Sequence, residues 1–81
     1  MISLSTDDVR TEALFVSHIQ RSQHPTPETI RAAVTATVDR LGERGCAALV
    51  AQEFGEHPDC AQGRMQWARR AVRSAFDLKA A

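Results

Sequence analysis

Apolar positions recur at three- and four-residue spacing in four separate stretches of this chain, the pattern of helices that bury one face. In the first, Val9, Ala13, Val16 and Gln20 trace one row, and Leu14, Phe15 and Ile19 widen it. Ser5, three residues before Asp8, resembles a capping box at its start, although Glu or Gln is the usual partner. His24-Pro25-Thr26-Pro27 ends it, because each proline pushes the residue before it out of helical conformation. The second stretch carries Ile30, Val34, Thr37, Val38 and Leu41, with Arg31, Asp39 and Arg40 outside the stripe. Thr26 is a good N-cap for it, Pro27 suits the first helical position, and Glu28 favours the positive end of the helix dipole. Gly42 is expected to stop this helix, and Glu43-Arg44-Gly45 to connect it to the next.

The third stretch opens at Cys46 and places Ala47, Leu49, Val50 and Phe54 at near-helical spacing. Gly55 follows and can end a helix in the left-handed conformation. Pro58 restarts a helix with Asp59 in its first turn. On this fourth stretch, an angular count of 100° per residue gathers Ala61, Met65, Ala68, Val72, Ala75 and Phe76 on a core side. Gln62, Gln66, Arg69, Arg70 and Arg73 gather on a polar side. Trp67 lies nearly opposite the core stripe, near Cys60, Ala71 and Leu78, so this helix has a second apolar face. The expectation is a compact all-α, four-helix single domain over residues 1–81, with helices at about 6–23, 27–41, 46–54 and 58–78. Its core is expected to hold Leu14, Ile19, Ile30, Val34, Val38, Leu41, Leu49, Val50, Phe54, Met65, Ala68, Val72 and Phe76.

Composition narrows the function classes. With 81 residues, 43% hydrophobic and 25% charged, the chain has the make-up of one small globular domain. A formal net charge of zero argues against tight, indiscriminate nucleic-acid binding. The charge is uneven, however: residues 1–56 carry five Arg against eight Asp and Glu, and residues 57–81 five Arg and Lys against two Asp. The last helix is therefore the basic surface. No signal-peptide or membrane-spanning pattern is present, so a cytoplasmic protein with reduced thiols is expected.

Cys46 and Cys60 make no disulfide framework, and Cys46 is expected to be buried. His57 and Cys60 stand three apart at a helix start, but a structural zinc site needs a second ligand pair, and none is evident near His18 or His24. There is no Gly-rich phosphate loop and no His-Glu zinc motif, so no enzyme activity, cofactor or small-molecule substrate is expected.

Two helices joined by a few residues have the form of a helix-turn-helix. Val50-Ala51, Phe54-Gly55, Ala61, Arg64-Met65 and Ala68-Arg69-Arg70-Ala71-Val72 resemble, without gaps over residues 50–72, the helix-turn-helix in the promoter-recognition domain that ends many bacterial sigma factors. That resemblance implies a DNA-binding or transcription-associated protein in which Gln62, Gln66 and Arg69 face bases while Arg70 and Arg73 meet phosphates. Cys60, Trp67, Ala71 and Leu78 are the expected interface residues, and a symmetric homodimer through the Trp67, Ala71 and Leu78 face would double the DNA contacts. The competing class is a helical protein–protein adaptor that holds a protein partner through Trp67 and the arginine face, with no nucleic acid involved.

Overall fold

The computed structural model of the chain describes residues 5–77, which form α1 (Thr6–Val16), a 3-10 turn (Arg21–Gln23), α2 (Pro27–Glu56) and α3 (Pro58–Phe76). Among the described residues the fold is all-α but has three α-helices, not the expected four, because the second and third expected helices are one run. Glu43, Arg44 and Gly45 are helical rather than a connection, and Gly42 alone departs from helical geometry, at φ 72° and ψ 169°. That region is open essentially only to glycine, so a single residue turns the chain without unwinding the helix on either side.

The start signals act as expected. The Ser5 hydroxyl accepts the Asp8 amide at 3.1 Å while the Ser5 amide donates to the Asp8 carboxylate at 3.4 Å, a reciprocal box with Asp in place of Glu. Thr26 Oγ1 accepts the Thr29 amide at 3.1 Å ahead of Pro27. The stops differ. The periodicity carries α1 to residue 23, but the helix ends at Val16, where Ser17 donates to the Leu14 carbonyl through both its amide (3.1 Å) and its hydroxyl (2.7 Å). A serine that binds backbone locally competes with helix continuation. Gly55 has no positive φ and lies inside α2, which runs on to Glu56. The reversal into α3 is made by His57 alone (φ −140°, ψ 66°), whose amide donates to Glu53 O at 2.7 Å and whose carbonyl accepts the Ala61 amide at 2.9 Å.

The bend at Gly42 divides α2 into arms about 22 and 21 Å long, and α3 is about 28 Å long, at 1.5 Å per residue. α3 joins the far ends of the arms: it follows the second arm through His57, and its end meets the first arm where Arg31 Nη1 donates to Ala75 O at 2.8 Å. The three segments thus outline a triangle with Gly42 at its apex, and α1 packs across it against both α2 and α3. The molecule is accordingly flat, with extents of 37 × 31 × 21 Å.

The core lies where α1 crosses the triangle. Leu14, Ile30, Val34, Val50, Met65, Ala68 and Val72 are buried as expected, and Ile19, Val38, Leu41 and Phe76 are half-buried against them. Leu49 (39% exposed) and Phe54 (37%) are not core residues. The shortened α1 leaves open a groove of about 350 Å³ between Phe15, Val16, Leu49 and Ala61, and Phe54 is held at the margin by stacking on Phe15, ring centres 5.9 Å apart. Ala13, Phe15, Cys46, Ala61 and Ala75 complete the core, the four small residues allowing the helices close approach.

Among the described residues one buried side-chain atom is unsatisfied: Glu12 Oε1 has no hydrogen-bond partner. Burial lifts the Glu12 carboxyl above its ordinary value of 4.5, and Asp8 adds to the shift. Below its unfolded value the group is neutral in both states and folding carries no penalty. Above its folded value it is charged in both, and folding must desolvate it. Stability is therefore expected to fall as pH rises from about 4.5 through the raised folded value. Denaturant titrations at a series of pH values should show this loss in the wild type and a flatter profile in Glu12→Gln. Parallel profiles would assign the pH dependence elsewhere.

The arginine face of α3 as a candidate nucleic-acid interface

The chain has nine arginines and one lysine. The fold engages three of the arginines and leaves a second set of six exposed without a side-chain partner among the described residues, of which Arg69, Arg70 and Arg73 lie on α3 and Arg21, Arg40 and Arg44 do not. Arg10, Arg31 and Arg64 are structural. Arg64 donates from Nε to Phe15 O (2.6 Å) and from Nη2 to Ser17 O and Ile19 O (3.0 Å each) and Leu14 O (3.3 Å). The last carbonyls of a helix have no partner within it and carry the negative end of its dipole. α1 has no basic residue in its own last turn, so Arg64 supplies the cap from α3. Burial pulls the Arg64 pKa below its ordinary value, and nearby Glu53 opposes that shift. Arg31 caps the end of α3 in the same way, and Arg10 lies over the Phe76 ring, 4.1 Å from its centre.

The second set points outward. Gln62, Gln66, Arg69, Arg70 and Arg73 are all exposed on α3, as the angular count expects. No side-chain hydrogen bond or ion pair engages any of the five among the described residues. Their spacing of three and four residues sets them along one ridge of the helix. Two acidic groups border it: Asp59 sits exposed in the first turn of α3, and Asp7 and Asp8 of α1 share a small hollow with Arg69 and Arg73.

The other expected site residues are not brought together as one open face. Cys60 is exposed and lines the groove beside Leu49 and Arg64. Trp67 and Ala71 are half-buried against the core, and the Arg64 guanidinium carbon lies 5.2 Å from the Trp67 ring centre. Leu78 lies outside the described residues. Cys46 is fully buried, where desolvation pushes its thiol pKa up, Glu12 adding and Arg40 opposing. A thiol held protonated in this way is a poor nucleophile.

Among the described residues no three His, Cys, Asp or Glu side chains are grouped to hold a metal ion. No helix among them is long and apolar enough to cross a membrane. Two features of this region leave little trace in the sequence. Arg64 stands there only as part of a motif, since a guanidinium that caps another helix gives no local signal. Arg21 and His24 carry no sign of a role either, yet they border Trp67 from the segment between α1 and α2. Compared with known protein families, with curated proteins and with solved structures, the chain matches none.

Proposed function

We propose that this protein binds double-stranded DNA through the exposed ridge of α3. The observation that carries the reading is the contrast between the engaged arginines and those of the α3 ridge: Arg10, Arg31 and Arg64 are engaged within the fold, whereas Arg69, Arg70 and Arg73 are exposed and, among the described residues, unpaired beside Gln62 and Gln66. A helix offered to the major groove uses this composition, with Gln suited to adenine edges, Arg to guanine, and further Arg to phosphates. Three arginines on a neutral domain imply weak, salt-sensitive binding, with phosphate contacts supplying most of the affinity. Asp59 and the Asp7–Asp8 pair hold that affinity down by repelling phosphate at the borders of the ridge.

Fluorescence anisotropy of a labelled random duplex tests this. Binding at low salt should weaken as salt rises, with a slope of log K on log salt near about −1.8 for the two phosphates met by Arg70 and Arg73. Gln66→Ala with Arg69→Ala should weaken binding by removing side chains that face the bases. Arg70→Ala, which takes away a partner of one phosphate, should flatten the slope by about 0.9. Absence of binding at low salt, with the fold intact, would end the DNA reading.

A second reading has its own observation. Leu49 is exposed and lines the groove between α1, α2 and α3, and Phe54, also exposed, stacks on Phe15 of the groove wall. Exposed apolar side chains around a concavity are the composition of a protein-docking patch. Leu49→Ser would then abolish partner capture while leaving duplex binding unchanged.

A further inference from the structure

Trp67 forms part of two adjoining surface hollows, of about 570 and 500 Å³. Arg21 and His24, from the segment between α1 and α2, border both, and Arg70 borders the second. Among the described residues no carboxylate lines either hollow. Arg21 and Arg70 are exposed and, among the described residues, engaged in no ion pair or hydrogen bond through their side chains. His24 holds a left-handed conformation (φ 49°, ψ 57°), uncommon for a residue with a side chain, which sets its position on the rim.

From this juxtaposition we infer that the hollow around Trp67 is a binding site for a nucleotide unit, with the base against the indole and the phosphate between Arg21 and Arg70. Each part of the site selects one part of that ligand. An indole wall favours a planar π system, and base–aromatic contact is tolerant of base identity. Guanidinium groups present paired donors that suit phosphate oxygens. A rim without carboxylates disfavours amines and metal ions. Two hollows of this size fit the range of small-ligand sites, about 300–1,000 Å³. The shared chemistry has two sources, a free nucleotide or a residue of a single-stranded nucleic acid. The inference does not depend on duplex binding, although Arg70 belongs to both surfaces.

Trp67 is the only tryptophan, so its emission reports the site directly. The intact chain is titrated with AMP and, separately, with a short oligodeoxyadenylate, exciting at the red edge of the indole band. A saturable emission change is expected, with Arg21→Ala and Arg70→Ala each weakening binding about tenfold, as for loss of a charge-assisted hydrogen bond. Adenosine, which lacks the phosphate, should bind comparably weakly. Saturation by AMP alone identifies a free nucleotide; saturation only by the oligonucleotide identifies a strand. Helical circular dichroism of Arg21→Ala, a substitution at an exposed turn, establishes that its fold is kept. No emission change with either probe at millimolar concentration, or titrations of Arg21→Ala that overlay the wild type, would overturn the inference. Failure of the duplex reading is separable, since Arg21→Ala should spare duplex binding and Gln66→Ala with Arg69→Ala should spare AMP.

Discussion

Replacing Arg64 with alanine is expected to lower the unfolding free energy by about 3 kcal/mol, the loss of several charge-assisted hydrogen bonds together with the carbonyls left unpaired behind them. In the folded protein one guanidinium serves Phe15 O, Ser17 O, Ile19 O and, at longer range, Leu14 O. Ser17 also serves Leu14 O, but no other side chain among the described residues donates to the remaining three carbonyls. Truncation would leave them facing the space between α1 and α3, and would remove the positive charge from the negative end of α1. For a domain of this size a loss of that order is a large part of the total stability, and it should appear as a fall in melting temperature of about 12–24 °C.

Two further substitutions divide the effect. Arg64→Lys keeps the charge but offers a point ammonium where a planar fork spans separated carbonyls, so about half the loss should remain. Arg64→Met keeps the packed stem beside Trp67 and Phe15 and removes every donor, so it should approach the alanine value. Urea unfolding followed by helical circular dichroism measures all three. An alanine variant within about 0.5 kcal/mol of wild type would place it among ordinary surface substitutions and show that water replaces the guanidinium without loss.

Arg64 also marks the limit of what is legible in the sequence. Signals that act within one turn carry over directly into the fold: the Ser5–Asp8 box, Thr26 with Pro27, and the restart at Pro58. The polar ridge of α3 is equally legible, because an angular count needs only the helix, and all five of its side chains are exposed. What differs from expectation depends on partners distant in sequence. α1 stops at Val16 because Ser17 turns back on Leu14 and Arg64 receives the emerging carbonyls, 45 to 50 residues away. With α1 shortened, Leu49 and Phe54 lack the cover that their periodicity implies. Trp67 is ambiguous in sequence for the same reason. Its neighbours in the first hollow, Gly63 and Arg64 apart, come from the segment between α1 and α2, whose path no periodicity predicts.

The two glycine stops fail for another reason, and the second large prediction rests on it. Gly42 and Gly55 each follow an apolar residue, and both have the sequence setting of a helix end. At Gly55 no glycine conformation is needed, because Pro58 already drives residue 57 out of helical geometry, and His57 makes the turn. No proline follows Gly42, so the change of direction there requires a conformation that only glycine adopts freely. Gly42→Ala is therefore expected to cost about 1–3 kcal/mol from backbone strain. Sterics cannot confuse the result, since an added Cβ at residue 42 would meet nothing within 4 Å. Gly55→Ala is the control: it too has open space and sits in a helix, so it should stabilise by about 0.5–1 kcal/mol. Opposite signs for these two substitutions in thermal unfolding are the expected result, and equal signs would remove the bend from Gly42. A double-mutant cycle carries the test into the tertiary structure. If a strained apex relaxes by opening the triangle, Arg31 at the far end of the first arm is drawn away from Ala75 O. The energetic effect of Arg31→Ala should then shrink in the Gly42→Ala background. Independent, additive effects would show that the apex and the closing hydrogen bond do not sense one another.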